Sequence, residues 1–322
     1  MSQLELLLDR PGDGTPELSV LMPVRNTESL VGAAVSSVLD QQGCIAEILI
    51  SDDCSTDGTP EAVRRTVEGW RGRHHVRVLR SRERLAIDHL GALVDASTTG
   101  FLVQAHGDDV SRQGRLATLL AIHRDTGASL VTSNVTWRTP DRTFDEPAPA
   151  GVAEGWIARA QVLTPQSNLI WGARLGLDRR IFTHFPRLDS AHLPIGHDGL
   201  QSLRALLLGG AWYCPRRLLI CGRHENQWSR RLWDNSLPAA RQFGYSLNRL
   251  GIMRAMLRDI EYAQAQAVIP AARLTEVRGP VRRVLFLLLD ELMDARDRLR
   301  RAGRDPVWVT EAELADANRA ER

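Results

Sequence analysis

Apolar and polar positions alternate in two rhythms along the first 140 residues. Leu18 to Met22, Glu47 to Ile50, Val76 to Leu79, Phe101 to Ala105 and Leu130 to Val135 are short, mostly apolar runs, and each predicts a strand. Between them the apolar spacing lengthens to three and four. Leu30, Val31, Ala34, Val35 and Val38 predict a helix with Thr27 as its N-cap, and Thr59-Pro60-Glu61 opens a second. Leu85, His89, Leu93 and Val94 predict a third helix, and Leu116, Leu119, Leu120 and His123 a fourth. Strands and helices alternating in this way predict an α/β fold, a mostly parallel sheet covered on both faces.

The pattern loosens after residue 140. Asp141 to Gly155 is rich in Pro, Gly and acids and reads as a loop. Polar turns then interrupt short apolar stretches until Gly199 to Leu208, which predicts a helix. From Arg241 the chain turns helical, with breaks expected at Pro270 and Pro280. Val284, Leu287, Leu288, Leu292 and Met293 form an amphipathic stripe, followed by Arg296, Arg298, Arg300 and Arg301. The expected organisation is an N-terminal extension (1–17), a main domain (18–235) with halves at 18–140 and 150–235, and a C-terminal helical region (236–322).

Composition narrows the chemistry. All 41 basic residues of the 322 are arginine, set against 39 acids for a net charge of +2. Without lysine there is no P-loop lysine and no Schiff base, so anions must be held by arginine forks, backbone N–H groups or a metal. Near-neutral charge argues against nucleic acid as a partner. Cys44, Cys54, Cys214 and Cys221 include no C-x-x-C pair, which disfavours a zinc site. Met1 to Arg10 carries acids and lacks the basic start of a signal peptide, so a cytoplasmic setting is expected.

Ligands of parallel sheets bind beyond the carboxyl ends of the strands, where this sequence gathers its polar clusters. Pro23-Val24-Arg25-Asn26, Ser51-Asp52-Asp53 and His106-Gly107-Asp108-Asp109 each follow a predicted strand. Asp52 and Asp53 suit either a helix cap or acceptance from a nucleobase or ribose. Asp108 and Asp109 suit a divalent cation; His106 is either a further ligand or a hydrogen-bonded histidine. Asp198 opens a predicted helix, as a dipole contact or as a general base. Trp156 and Trp171 are either core or stacking platforms for a sugar, while Phe182, Phe185 and Leu188 read as packing.

The stretch Ser19 to Asn26, followed by Ile50-Ser51-Asp52-Asp53-Cys54-Ser55-Thr56-Asp57-Gly58-Thr59, resembles the opening of a family-2 glycosyltransferase. His106-Gly107-Asp108-Asp109 falls where that family carries its D-x-D-type metal motif, and Gly196-His197-Asp198 where it carries the pair containing the catalytic base. The resemblance covers about Leu18 to Ser229. It implies a GT-A (Rossmann-like) fold with a C-terminal helical extension and an inverting, metal-assisted transfer from a nucleoside-diphosphate sugar to a hydroxyl acceptor, such as a glycan or glycolipid. Pro23, Arg25, Asn26, Asp52, Asp53 and Asp108 would contact the nucleotide sugar. Asp109, with Asp108 and His106, would hold Mn²⁺ or Mg²⁺, and Asp198 would deprotonate the acceptor. Arg223 and His224 resemble a basic segment that closes over the diphosphate, or else form a solvated loop.

Two positions depart from the family pattern. His106 stands where the first metal-motif acid is usual, and His197 where an acid usually precedes the base. They leave open a non-catalytic nucleotide-sugar-binding scaffold. A sugar nucleotidyltransferase is a further alternative, although Pro23-Val24-Arg25-Asn26 offers neither the glycine-rich loop nor the lysine it would want. The C-terminal helices could pack on the domain, contact the inner face of a membrane peripherally, or join two copies.

Overall fold

The computed structural model describes residues 3–148, 152–158, 161, 170–188, 197–222 and 238–301. Each predicted strand forms. They are β2 (Leu18–Val24), β3 (Ala46–Asp52), β4 (His75–Ser81), β5 (Phe101–Gln104) and β7 (Leu130–Arg138). The four predicted helices between them form as α1 (Glu28–Leu39), α2 (Thr59–Gly69), α3 (His89–Ala96) and α4 (Arg115–Thr126). Thr27 occupies the N-cap of α1 without a side-chain cap bond; its own N–H instead donates to Thr59 Oγ1 at 2.8 Å.

At the sheet centre β4, β3, β2 and β5 run parallel, with β2 paired from Leu18 against Ala46 to Val24 against Asp52. Both sheet faces are covered. Alternate residues such as Val20, Ile48 and Val103 pack with Val31, Val35, Val63 and Leu119 in one apolar cluster; Leu21, Leu49 and Leu102 join Leu93, Leu203 and Met256 in another.

Antiparallel strands flank this centre. The N-terminal extension supplies β1 (Leu4–Arg10), antiparallel to β4 at the sheet edge. On the other side β10 (Leu175–Asp178) is wedged antiparallel between β5 and β7, and β11 (Ala211–Gly222) runs parallel to β7. The two-residue strand β6 (Val110–Ser111) pairs with β11 beyond it. The expected loop at Asp141 to Gly155 holds β8 (Thr143–Asp145), hairpin partner of β7, and β9 begins at its end (Gly155–Trp156). Among the described residues this half also holds a 3₁₀ turn (Gly172–Arg174), the turn α5 (Arg180–Thr183) and the helix α6 (His197–Leu208).

The C-terminal region is a pair of long helices, α7 (Pro238–Ala265) and α8 (Ala271–Arg301). The chain breaks at Pro270 as expected but α8 runs straight through Pro280. A proline inside a helix costs roughly 3 kcal/mol; burial of Leu274, Val277, Val281 and Leu288 along the same helix offsets it. The expected apolar stripe is buried only in part: Leu288 is inside, whereas Leu287 and Met293 are 59% and 44% exposed. The hairpin docks on α6 through a fully buried ion pair, with Arg204 Nε 2.6 Å from Asp259 Oδ2. No helix among the described residues is long and apolar enough to cross a membrane.

Candidate active site

The loops after β2 and β3 are knotted together by their polar side chains. Asn26, in the left-handed region at φ 49°, donates its N–H to Ser55 Oγ at 3.0 Å and accepts Thr56 N–H at 2.9 Å. Asp57 accepts from Glu28 N–H and Thr59 N–H, so it serves the turn. Beside this knot Asp52 is 3% exposed. Its Oδ2 accepts Ser55 N–H at 3.1 Å and lies 3.6 Å from Arg80 Nε. Its Oδ1 is buried without a hydrogen-bond partner, as is Nε of the half-buried Arg25. Buried polar atoms are rarely left unpaired, so one acceptor and one donor here are open to a further partner.

Asp53 has a different surrounding. Its carboxylate accepts from Ser81 Oγ at 3.0 Å, Leu85 N–H at 2.7 Å and Ala86 N–H at 2.9 Å. The side chain expected among the nucleotide-binding groups is therefore occupied in fixing the segment after β4. Buried His89 bonds to Ser51 Oγ at 2.7 Å through Nε2, and burial pushes its pKa down, favouring the neutral ring.

The loop after β5 carries the second cluster. Gly107 is required by close approach: a Cβ there would stand 2.8 Å from Thr27 Oγ1 and 3.0 Å from Val24 Cγ1. His106, Asp108 and Asp109 each offer a ligand atom, and these lie within 4.8 Å of one another. His106 Nδ1 is 3.8 Å from Asp109 Oδ2, and Gly222 at the end of β11 donates its N–H to Asp109 Oδ1 at 3.0 Å. Burial, then the nearby Asp108 carboxylate, pushes Asp109 up to about 6; His106, the Gly222 bond and Arg115 act in the opposite sense. A divalent cation fits this donor set, because it would offset both the burial and the mutual repulsion of the carboxylates.

The structure brings Asp198 to the same place. In the first turn of α6, its Oδ2 accepts Gly172 N–H at 3.0 Å. Gly172 holds φ 43°, and a Cβ on it would lie 3.4 Å from His106 Cε1. One glycine thus lies between the Asp198 carboxylate and the His106 ring. Gln201, on the same helix, accepts from Gln104 Nε2 of β5 at 3.2 Å. Trp171 is half-buried rather than core, stacked on Trp137 at 5.2 Å with Arg174 4.1 Å from its ring centre. Trp156 is 54% exposed and meets Trp212 edge-on, while Phe182, Phe185 and Leu188 are buried as expected. Arg223 and His224 lie outside the described residues.

One residue of the site carries no signal in the sequence. Arg115, fully buried in the first turn of α4, donates to Gln104 O at 2.8 Å, to Ser111 Oγ at 3.0 Å and to Ala173 O. It joins the strand before His106, the strand after Asp109 and the residue after Gly172. Burial lowers its pKa to about 10, still charged near neutrality. An arginine at a helix start otherwise reads as solvated.

A mostly parallel sheet with acids at its carboxyl end, extended by antiparallel strands, is the GT-A glycosyltransferase arrangement, and solved structures share it. S. aureus TarS 1-349, in complex with UDP-GlcNAc, superposes with a TM-score of 0.56 at 14% identity, covering 89% of this chain and 92% of TarS. The mannosyltransferase PcManGT from Pyrobaculum calidifontis, in complex with GDP-Man and Mn²⁺, gives 0.53 at 18% identity, covering 97% and 83%. GalNAc-T7 with UDP, GalNAc and Mn²⁺ gives 0.54 at 14% identity, covering 73% and 51%. At such identities the likeness is one of fold. Residues 19–185 match the glycosyl transferase family 2 profile, and the chain belongs to that family. EpsE of Bacillus subtilis (strain 168), provisionally named a glycosyltransferase, is 29% identical over 101 residues; these span 31% of this chain and about a third, 36%, of EpsE.

Proposed function

We propose that the protein transfers a sugar from a nucleoside-diphosphate sugar to a hydroxyl acceptor with inversion, in the assembly of a polysaccharide or glycoconjugate in the cytoplasm. The observation that carries this reading is the meeting of Asp198 and His106 across Gly172, which sets a carboxylate beside a cation-ready cluster. Asp52 accepts an N–H of the base through its unpartnered Oδ1, with Pro23, Arg25 and Asn26 bordering the nucleotide. Asp108 and Asp109, with His106, hold Mn²⁺ or Mg²⁺, which when bound stabilises charge on the diphosphate. Arg223 and His224, next after Gly222 in the sequence, complete the contacts to the nucleotide sugar, Arg223 with its fixed positive charge.

In the transfer step Asp198 takes the acceptor hydroxyl proton as that oxygen attacks the anomeric carbon. The carbon–oxygen bond to the diphosphate breaks and the new glycosidic bond forms on the opposite face. One base and no enzyme nucleophile give inversion.

The test begins with a thermal-shift screen of UDP-, GDP- and dTDP-sugars with and without Mn²⁺ or Mg²⁺. At least one donor should raise the melting temperature in a metal-dependent manner. Asp198→Asn should keep that shift and lose transfer of the sugar; silence with every donor, or wild-type turnover in the variant, overturns the reading.

A further inference from the structure

The outer face of α8 carries an apolar strip with charged ends. Arg282, Phe286, Leu289, Met293 and Asp297 follow at spacings of four, three, four and four, which places them on one side of the helix. All five are exposed, Phe286 at 66%, Met293 at 44% and Leu289 at 37%. The opposite side, with Leu274, Val277, Val281 and Leu288, is the one buried in the domain. The strip is therefore surplus to folding of the single chain, and water-facing aromatic and aliphatic side chains so grouped mark a contact surface.

We propose that this strip is an isologous dimer contact, in which α8 packs antiparallel against α8 of a second copy of this chain. The strip is self-complementary. A two-fold axis through the midpoint of Leu289 and Asp290 sets Phe286 against Met293 of the other copy and Arg282 against its Asp297. Both contacts occur twice, and Asp297, whose Oδ1 is held by Arg296 of its own chain at 2.9 Å, presents its other oxygen to Arg282 of the second copy. Arg283, also exposed, comes alongside Asp294 and Asp297 of the second copy. An anionic lipid surface would attract the exposed Arg282, Arg283 and Arg298 at the two ends but would be repelled by Asp290, Glu291, Asp294 and Asp297, exposed among the apolar residues themselves. A single helix pair is a small interface, so the association is reversible and concentration-dependent.

Sedimentation velocity of the full chain at rising concentration reads the outcome. The wild type should pass from monomer to dimer. Phe286→Asp should remain monomeric with an unchanged melting temperature, since this side chain is exposed in the monomer. Asp297→Arg and Arg282→Asp should each weaken the dimer at least tenfold, and the double variant should restore it, a rescue that general destabilisation cannot produce. A wild type that stays monomeric, a Phe286→Asp dimer of wild-type strength, or a double variant weaker than either single one overturns the proposal. So does co-sedimentation of the wild type with phosphatidylcholine–phosphatidylglycerol vesicles that Phe286→Asp abolishes while the protein itself never dimerises.

Discussion

Asp198 and Gly172, 26 positions apart in the chain, are joined by a 3.0 Å hydrogen bond from the glycine N–H to the carboxylate Oδ2. Because Gly172 also borders His106, the bond fixes the carboxylate of α6 relative to the loop after β5. In the proposed transfer, the remaining lone pairs of Asp198 take the acceptor proton.

Gly172→Ala should be costly for the backbone rather than for packing. Its Cβ would only touch the His106 ring, at 3.4 Å, but φ 43° disfavours an L side chain by about 1–2 kcal/mol. Relaxation of the loop withdraws the N–H from Asp198. Sugar transfer should fall at least tenfold while the donor-induced thermal shift is retained; equal loss of both would mean that the loop holds the donor instead.

Asp52→Asn keeps an oxygen for Ser55 N–H but can present an amide N–H₂ where Oδ1 now lies. A lost charge-assisted hydrogen bond is worth about 1.5–3 kcal/mol, at least tenfold in Kd. Calorimetric titration with UDP and GDP should show that weakening for whichever nucleotide the wild type binds. Unchanged affinity would remove Asp52 from the base site.

Cation binding should depend on pH in a defined direction. The folded pKa of Asp109, about 6, lies above its ordinary value of 3.8. The metal-free protein thus holds an extra proton between these values and loses stability as pH rises through about 6. A cation needs the ionised carboxylate and compensates for that loss. The rise in melting temperature on adding Mn²⁺ should be large near pH 7.5 and small near pH 5, and Asp109→Asn should flatten the difference.

Arg115→Met preserves much of the side-chain volume but leaves the carbonyls of Gln104 and Ala173 without their donor. Urea unfolding should show a loss of about 2–4 kcal/mol. A change below about 0.5 kcal/mol would mean that these carbonyls find other partners.

The order of elements in the first half was legible because it rests on local rules. Val31, Val35 and Val38 repeat with the helical period, and the runs ending at Met22, Ile50 and Ala105 are long enough only for strands. The three polar clusters were legible for the same reason, since each lies at the carboxyl end of its strand. The placement of Asp198 could be anticipated only through the family resemblance, because 90 residues separate it from Asp108 in the chain.

What the sequence by itself determined, then, was the alternation that builds the sheet and the set of acids at its carboxyl end. The tertiary structure decided which of their carboxylate oxygens already have partners within the fold. It paired the Asp53 carboxylate with Ser81, Leu85 and Ala86 and left Asp52 Oδ1 unpaired, a distinction between adjacent, identical residues that no local pattern contains. It also inserted β10 antiparallel beside β5, buried Arg115 beneath the site and left the outer strip of α8 exposed. The physical reason is common to all of these. Periodicity reports which side of an element is apolar, whereas hydrogen-bond satisfaction and burial depend on partners that only the folded chain brings together.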